Sequence, residues 1–418
     1  MKKISLHWKI IIGMFLGVII GLMFSSFSGG STFISNFVKP FGTIFINSLK
    51  LIAIPLILAS LIKGISDLKD ISKLSSMGLL TIMTYLTTTI IAVSIGLLVV
   101  NSVGPGKSIS DETRTELINA YSNDANEKRD IAEEKKKSGP LQPLVDLVPS
   151  NFLNAASDNK NMLQVIFFSI LFGIAMILIP GEKSKPVKTF FDSLNDVILK
   201  IIDIIMTCAP FGVFALLASL IVEAPNIDLL KSLILYCITL LVGLFFVIIV
   251  YLLFIKIFLK RNLKEFINGI LPAQLVAFST SSSAATLPIT MDRVENELGV
   301  KKEVSSFVLP IGATINMDGT AVYQAVAAVF IAQTFGLDLS LIDQLGIITT
   351  ATLASIGAAA VPSAGIIVLV IVLAQAGIPE AGLALIFAVD RPLDMFRTVV
   401  NVTGDAMVSL IVSKFQKS

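Results

Sequence analysis

Long apolar runs follow one another along this chain, and most are long enough to cross a lipid bilayer. Examples are "WKIIIGMFLGVIIGLMF" near the start and "LLVGLFFVIIVYLLFIKIFL" in the middle. A membrane-spanning helix needs roughly 20 predominantly apolar residues. The first run has no small-residue cleavage pattern, so we expect it to be retained as a span. The pattern predicts eight transmembrane helices, at about 8–27, 38–63, 76–102, 161–180, 191–222, 226–258, 300–335 and 380–414.

Two further apolar regions are interrupted near their centres. Residues 266–294 contain "STSSSAATLP", and residues 342–378 contain "SIGAAAVPSAG". Small residues and Pro in the middle of an apolar segment favour two short helices joined at a tip, which is the pattern of a re-entrant helical hairpin. The predicted fold is therefore an all-α integral membrane protein with eight transmembrane helices plus two re-entrant hairpins.

Composition agrees with a membrane protein. The chain has 418 residues, of which 54% are hydrophobic and 15% charged, whereas soluble domains are about 45–50% apolar and about 25% charged. The net charge of +2 comes with no dominant basic patch, so nucleic acid is not an expected partner. Cys208 and Cys237 both lie in apolar segments, and their spacing fits neither a disulfide framework nor a metal site.

The charges in the loops indicate how the chain is threaded. Lys and Arg fall on one side if the spans alternate and each hairpin returns to the side from which it entered, whereas "SSFSGGSTFISNF" after the first span is uncharged. Short cytoplasmic loops are rich in Lys and Arg. Both termini are therefore expected in the cytoplasm, with hairpin one entering from inside and hairpin two from outside. The basic residues are Lys2, Lys3, Lys9, Lys63, Lys69, Lys73, Lys183, Lys185, Lys188, Lys256, Lys260, Arg261, Lys264, Lys414 and Lys417.

One long polar insertion separates the third and fourth spans. Residues 104–160 contain "DETRTELINAYSNDANEKRDIAEEKKK". Long external loops largely escape the charge rule, so we expect a solvated external loop with no binding role.

The last span carries a stripe of polar side chains in "DRPLDMFRTVVNVTGD". Asp390, Asp394, Arg397, Asn401 and Asp405 are spaced by four, three, four and four residues, which places them on one face of a helix. A charge at mid-membrane costs about 2.5–3.5 kcal/mol. The stripe should therefore face a polar interior, where it binds a charged ligand. The alternative is an ion-pair network between helices, which applies most to Asp390 and its neighbour Arg391.

The seventh span contains "NMDGT", in which Asn316 and Asp318 interrupt the apolar pattern. Local unwinding there would free backbone carbonyls, and hard cations prefer oxygen ligands. The third span adds Tyr85, Thr88 and Thr89 in "TYLTTTI". The alternatives are a helix kink with satisfied polar groups and, for the threonines, hydrogen bonds to the preceding turn.

The two predicted tips share a chemical logic. A half-helix that begins at "SSSAATLP" presents free N–H groups, which suit a carboxylate, while "AAAVPSAG" permits close backbone packing and mobility. The alternatives are loop flexibility and close helix packing. Each hairpin is followed by a long helix with a similar polar group, "NMDGT" and then "NVTGD". This repetition suggests an inverted repeat, which places a binding site near the midplane.

These four motifs, in this order, resemble the glutamate transporter family of dicarboxylate/amino acid:cation symporters. They are most similar to the prokaryotic sodium-coupled aspartate/glutamate transporters, over nearly the whole chain. The resemblance implies a homotrimer with a fixed scaffold and a transport domain that moves like an elevator. The implied division is 1–75 and 161–225 for the scaffold, 76–103 and 226–418 for the transport domain, and 104–160 for the external loop.

The resemblance also implies the substrate-binding residues. Arg397 would bind the side-chain carboxylate of an acidic amino acid through its planar guanidinium, and Asp394 would bind the amino group. Asn401 would take the α-carboxylate. The other implied contacts are Thr398 and Thr320, Ser282 and Ser283 at the first tip, and Val361 and Gly365 at the second.

Three Na⁺ sites are implied for the co-transported ion, and no organic cofactor is expected. The first consists of Asp405 with the carbonyls of Gly312, Asn316 and Asn401. The second uses carbonyls at Thr314, Ser355, Ile356 and Ala358. The third uses Asp318, Asn316, Tyr85, Thr88 and Thr89.

The chain departs from the family pattern at several positions. Ser281 stands where some prokaryotic members carry Arg, and Arg391 supplies a comparable charge near the outer mouth. Ala358 and Ser363 stand where Thr and Gly are frequent, so the Ala358 contact would be through the backbone only. Gln324 stands where animal members carry a proton-carrying Glu, which argues against proton coupling through this residue.

The sequence therefore predicts a Na⁺-coupled secondary transporter of L-aspartate and/or L-glutamate in the plasma (cell inner) membrane. A C4-dicarboxylate carrier of the same family is disfavoured because its substrate has no amino group for Asp394, and proton coupling is the alternative driving force. An ion channel is the alternative from another class, which the Asp and Arg clamp disfavours. An enzyme is not expected, because a serine protease needs a base near its nucleophile and the single histidine, His7, lies at the membrane edge.

Overall fold

All regular elements in the described part of the chain are helices. The computed structural model describes residues 6–66, 71–110, 112, 114–115, 148–157, 161–223, 227–356 and 364–415. The main helices are α1 (Leu6–Ser25), α2 (Lys39–Ser66), α3 (Ile71–Val103), α4 (Met162–Leu178), α5 (Gly181–Thr207), α6 (Ala209–Glu223), α7 (Ile227–Ile257), α8 (Leu263–Thr280), α9 (Ser283–Asn296), α10 (Lys302–Ile315), α11 (Asp318–Thr334), α12 (Leu341–Ile356), α13 (Ala364–Ala376) and α14 (Leu383–Phe415).

Most helices begin and end close to the bounds that hydropathy predicts, and the first predicted interruption occurs. The first apolar region breaks at Ser281 and Ser282. Ser281 adopts a left-handed conformation (φ 51°) at the end of α8, and the Ser282 hydroxyl caps α9 by accepting a hydrogen bond from the Ala285 N–H at 3.2 Å. In the second region, α12 is described up to Ile356 and α13 from Ala364. The predicted interruption and tip at residues 357–363 lie outside the described residues.

The predicted single helix at 191–222 is wrong. The structure has two helices there, α5 and α6, with an angle of 52° between them. Pro210 lacks the N–H that would continue the α-helical hydrogen-bond ladder. The Cys208 N–H instead donates to the Ile205 carbonyl at 3.0 Å, which tightens the last turn of α5.

Four stretches in the described residues are long and apolar enough to cross a membrane. They are Met77–Ser108, Asp228–Ile257, Lys302–Thr334 and Val389–Phe415, and the bent α5–α6 pair would make a fifth. Shorter apolar stretches within the described residues lie in α1, α2 and α4, at Ile12–Ser25, Ile54–Ser66 and Gln164–Leu178. The number of eight spans therefore stays a prediction.

The helices pack in two groups. In the first, α2 packs against α4, α5 and α6, and α1 lies along α6. The second group comprises α3 and α7 to α14, with α11 packed on both α3 and α14. Gly13, Gly17 and Gly21 recur at one-turn intervals on α1, and a Cβ at any of them would collide with α6. Small residues at this spacing let the backbones of two membrane helices approach closely.

Candidate functional site

The polar stripe of α14 lies at the centre of the second helix group. α14 packs against α7, α8, α10 and α11, so its polar face is surrounded by protein. Asp390, Asp394, Arg397, Asn401 and Asp405 are all buried. This is the polar interior that the sequence predicts for the stripe.

Arg397 is held by two carboxylates of its own helix. Its Nη2 donates to Asp390 Oδ1 and to Asp394 Oδ1, both at 2.8 Å, and its Cζ lies 3.8 Å from the centre of the Tyr323 ring. Arg391 lies 3.4 Å from the other oxygen of Asp394. The predicted ion-pair alternative is therefore present, but within α14 rather than between helices.

Two nitrogens of the Arg397 guanidinium remain available. Its Nη1 and Nε are buried and make no hydrogen bond to any residue that the structure describes. A Cβ built on Gly365, at the start of α13, would lie 3.4 Å from Nη1 and 3.2 Å from the Thr320 side chain. Each of these nitrogens can donate a charge-assisted hydrogen bond to a carboxylate oxygen. Gly365, Thr320 and Arg397 therefore lie together, whereas Val361 lies outside the described residues.

Asn401 connects α14 to the beginning of α11. Its Oδ1 accepts a hydrogen bond from the Gly319 N–H at 2.8 Å, and its Nδ2 lies 3.5 Å from the Thr320 hydroxyl. Gly319 packs directly on the Arg397 backbone, where no side chain would fit. The Thr398 hydroxyl instead donates to the Asp394 carbonyl at 2.8 Å, within its own helix.

Asp318 is buried among hydroxyl groups. Thr89 Oγ1 donates to Asp318 Oδ1 at 2.6 Å, and the Tyr251 hydroxyl donates to Asp318 Oδ2. Thr89 also contacts the Tyr85 carbonyl at 2.9 Å, and Thr88 bonds back to that same carbonyl at 3.0 Å. Both threonines thus contact the preceding turn, as the alternative drawn from the sequence predicts, and Thr89 also donates to Asp318.

Asp405 lies beside the break between α10 and α11. Its Oδ1 accepts a hydrogen bond from Asn316 Nδ2 at 2.8 Å, and Gly312 packs against both the Asp405 carboxylate and the Tyr85 hydroxyl. The Asn316 Oδ1 is buried and accepts no hydrogen bond in the described part of the chain. Asn316 Oδ1, together with the buried carboxylates of Asp318 and Asp405, is a suitable ligand for a hard cation.

The set of residues predicted for the second cation site is less complete. Ser355 is buried and donates to the Thr352 carbonyl at 2.8 Å, whereas Thr314 is exposed and bonds back to the Ile311 carbonyl at 3.0 Å. Thr314 and Ser355 each bond within their own helix rather than to each other. Ala358 lies outside the described residues. Across the described chain, no three His, Cys, Asp or Glu side chains form a metal-binding group.

The first tip lies near the stripe. α8 runs along α14, with Gln274 donating to the Thr403 hydroxyl at 2.9 Å and the Phe278 ring meeting Phe396 edge-to-face at 5.1 Å. Ser282 and Ser283 follow shortly after Phe278 and are buried.

Two contacts were not predicted from the sequence. Tyr251 was not predicted as a partner of Asp318, nor was Tyr323 as a partner of Arg397. A hydroxyl-bearing residue inside an apolar run is the available signal for both tyrosines. That signal does not reveal which neighbouring helix the side chain meets.

Comparison with known protein families gives a match over nearly the whole chain. The sodium:dicarboxylate symporter family matches residues 6–415. The chain belongs to this family. Together with its apolar helices, membership makes the symporter a multi-pass membrane transporter rather than an enzyme.

Individual relatives cover nearly the whole symporter. It is 36% identical to the proton/sodium-glutamate symport protein of Bacillus caldotenax over 417 residues, which are 100% of this chain and 96% of the relative. It is 38% identical to human excitatory amino acid transporter 3 over 445 residues, covering 96% and 84% of the two chains. The proton/glutamate-aspartate symporter of Escherichia coli K12 is 33% identical over 425 residues, covering 99% and 93%.

Proposed function

We propose that the protein is a secondary active symporter that takes up L-aspartate and/or L-glutamate together with Na⁺. The observation that carries this proposal is Arg397, a fully buried cation whose Nη1 and Nε are unpaired in the described chain while Nη2 is neutralised by two carboxylates. An arginine that keeps buried, unpaired N–H donors is ready to bind a carboxylate through charge-assisted hydrogen bonds. Two relatives are named as a glutamate symporter and a glutamate-aspartate symporter, which supports the same substrate class.

In the proposed complex an unpaired N–H group of Arg397 donates to the side-chain carboxylate of the substrate. Asp394 binds the substrate amino group and gives up part of its contact with Arg397. Asn401 binds the α-carboxylate, and Val361 and Gly365 close over the substrate. Further hydrogen bonds come from Thr320, Thr398, Ser282 and Ser283.

Sodium is the proposed coupling ion, and it is transported together with the substrate. Asp318 and Asp405 are buried without a Lys, Arg or His partner in the described residues, and a buried charge needs compensation. The surrounding oxygens of Asn316, Thr89 and Tyr251, with freed carbonyls at the helix break, suit a hard cation. Proton coupling is the second candidate, because relatives named proton/sodium symporters match the chain.

The proposed movement is an elevator, in which the group containing α3 and α7 to α14 slides against the group containing α1, α2 and α4 to α6. The group containing α3 and α7 to α14 would correspond to residues 76–103 and 226–418. The complete fold would have eight spans and two re-entrant hairpins. A groove between α2 and the α5–α6 bend has exposed rims at Phe37, Phe41 and Phe211. The proposed assembly is a homotrimer, as in the family that the sequence resembles. Both chain termini are proposed to be cytoplasmic, from the placement of Lys and Arg in the loops.

A binding measurement tests the substrate class. Aspartate and glutamate should bind purified protein more tightly when Na⁺ is present. Succinate lacks the amino group that Asp394 would bind, and the loss of that interaction should cost about 1–3 kcal/mol, or roughly 5- to 150-fold in Kd. Isothermal titration of the three ligands, with and without Na⁺, checks this. If succinate bound as tightly as aspartate, the protein would instead be a C4-dicarboxylate carrier.

A further inference from the structure

A groove between α3, α7 and α14 contains none of the proposed substrate-binding residues, and only Thr88 and Tyr251 of its lining belong to the proposed cation site. Its volume is about 300 Å³, and its walls are apolar except for the hydroxyls of Thr84, Thr87, Thr88 and Tyr251. All four hydroxyls are already engaged: the threonines donate to carbonyls of their own helix at 2.6–3.0 Å, and Tyr251 donates to Asp318. The groove therefore offers hydrocarbon contact and no free polar group.

The surroundings of this groove are hydrocarbon. Each of its three helices contributes a stretch that is long and apolar enough to cross a membrane. Met83 and Ile91 at its rim are exposed, with 55% and 41% of their surface accessible. A lipid acyl chain is the molecule that meets such a groove in a bilayer.

One end of the groove is basic. Phe254 and Phe415 close that end. Lys256, Lys260 and Lys414 are exposed there, and the Lys414 ammonium donates to the Phe258 carbonyl at 2.5 Å, which joins the ends of α7 and α14. Basic pockets between transmembrane helices at the cytoplasmic side bind anionic lipid headgroups.

We propose that this groove binds one acyl chain of an anionic phospholipid, with its headgroup at Lys256, Lys260 and Lys414. The bound chain contacts Thr88 and Tyr251, which adjoin the Asp318 cluster. The lipid therefore holds the Tyr251 hydroxyl on Asp318. As a consequence that rests on the proposed function, the lipid favours Na⁺ binding at this cluster.

Lipid retention by the full-length protein tests the site directly. Protein purified from vesicles of phosphatidylglycerol and phosphatidylcholine should retain phosphatidylglycerol, measured by native mass spectrometry. Thr84→Trp fills the groove and should abolish retention, whereas Leu98→Trp, at an exposed position of the same helix outside the groove, should not.

A charge variant keeps the proposal testable if Thr84→Trp fails to fold. The triple change Lys256→Gln, Lys260→Gln and Lys414→Gln should weaken retention by about fivefold per lysine. The matched change of Lys183, Lys185 and Lys200, which are exposed on α5, should leave retention unchanged. Equal retention by the wild type and both groove variants would overturn the proposal, as would recovery of a free fatty acid or a second copy of the chain in place of the phospholipid.

A transport measurement separates this proposal from the proposed function. In vesicles without phosphatidylglycerol, wild-type uptake should need a higher Na⁺ concentration for half-maximal rate, and Thr84→Trp should not respond to the lipid. If no vesicle supported Na⁺-driven uptake, the transport assignment would fail while the lipid-retention result stood.

Discussion

Replacing Arg397 with Cys should abolish the binding of acidic amino acids. The change removes the counter-ion of the substrate carboxylate and leaves Asp390 and Asp394 buried without their shared partner. Loss of one member of a buried, hydrogen-bonded charge pair costs about 2–5 kcal/mol, which is roughly 30-fold or more in Kd. Calorimetric titration of aspartate in saturating Na⁺ measures the effect.

Arg391→Cys is the matched control. Arg391 lies on the same helix and contacts Asp394 at 3.4 Å, but 19% of its side chain is exposed, so solvent screens its charge. Its removal should change aspartate affinity by less than about tenfold. Unaltered aspartate affinity in a folded Arg397→Cys protein would contradict the assignment of Arg397 to the substrate carboxylate.

Asp405→Asn should weaken both Na⁺ and substrate binding. Asn has the same shape and an oxygen that can still accept the bond from Asn316, so the fold should survive while the negative charge is lost. Binding of two ligands is reciprocally linked, with coupling free energies of about 1–3 kcal/mol. We therefore expect the Na⁺ concentration for half-maximal binding and the aspartate Kd to rise together, as measured by titrating each ligand at fixed concentrations of the other.

The control for this change is Asp203→Asn. Asp203 is exposed and pairs with Lys200 at 3.4 Å on α5, where an ion pair contributes little. It should leave both titrations unchanged. If Asp405→Asn behaved like Asp203→Asn, the cation site would lie elsewhere.

The helices could be predicted because apolar length and polar spacing act locally. The bounds of α7 and α14 follow from hydropathy, and the stripe from Asp390 to Asp405 follows from the helical period. The α5–α6 bend was missed because a proline near the start of a helix is well tolerated and gives no clear sign of a break in the preceding one. Pro210 occupies such a position, directly after Cys208 and Ala209.

Contacts between helices could be predicted only where a motif supplied them. Thr89 and Asp318 lie far apart in sequence, and their pairing was anticipated only through the family resemblance. Tyr251 has no motif around it, so its contact with Asp318 depends on how α7 is rotated against α11. The period of a single helix does not fix that rotation, since packing against neighbouring helices sets it.

Uptake by purified protein in liposomes tests the central claim most directly. We expect labelled aspartate or glutamate to accumulate when an inward Na⁺ gradient is imposed, and not to accumulate when Na⁺ is equal on both sides. Equal accumulation driven by a pH gradient in Na⁺-free buffer would contradict sodium coupling.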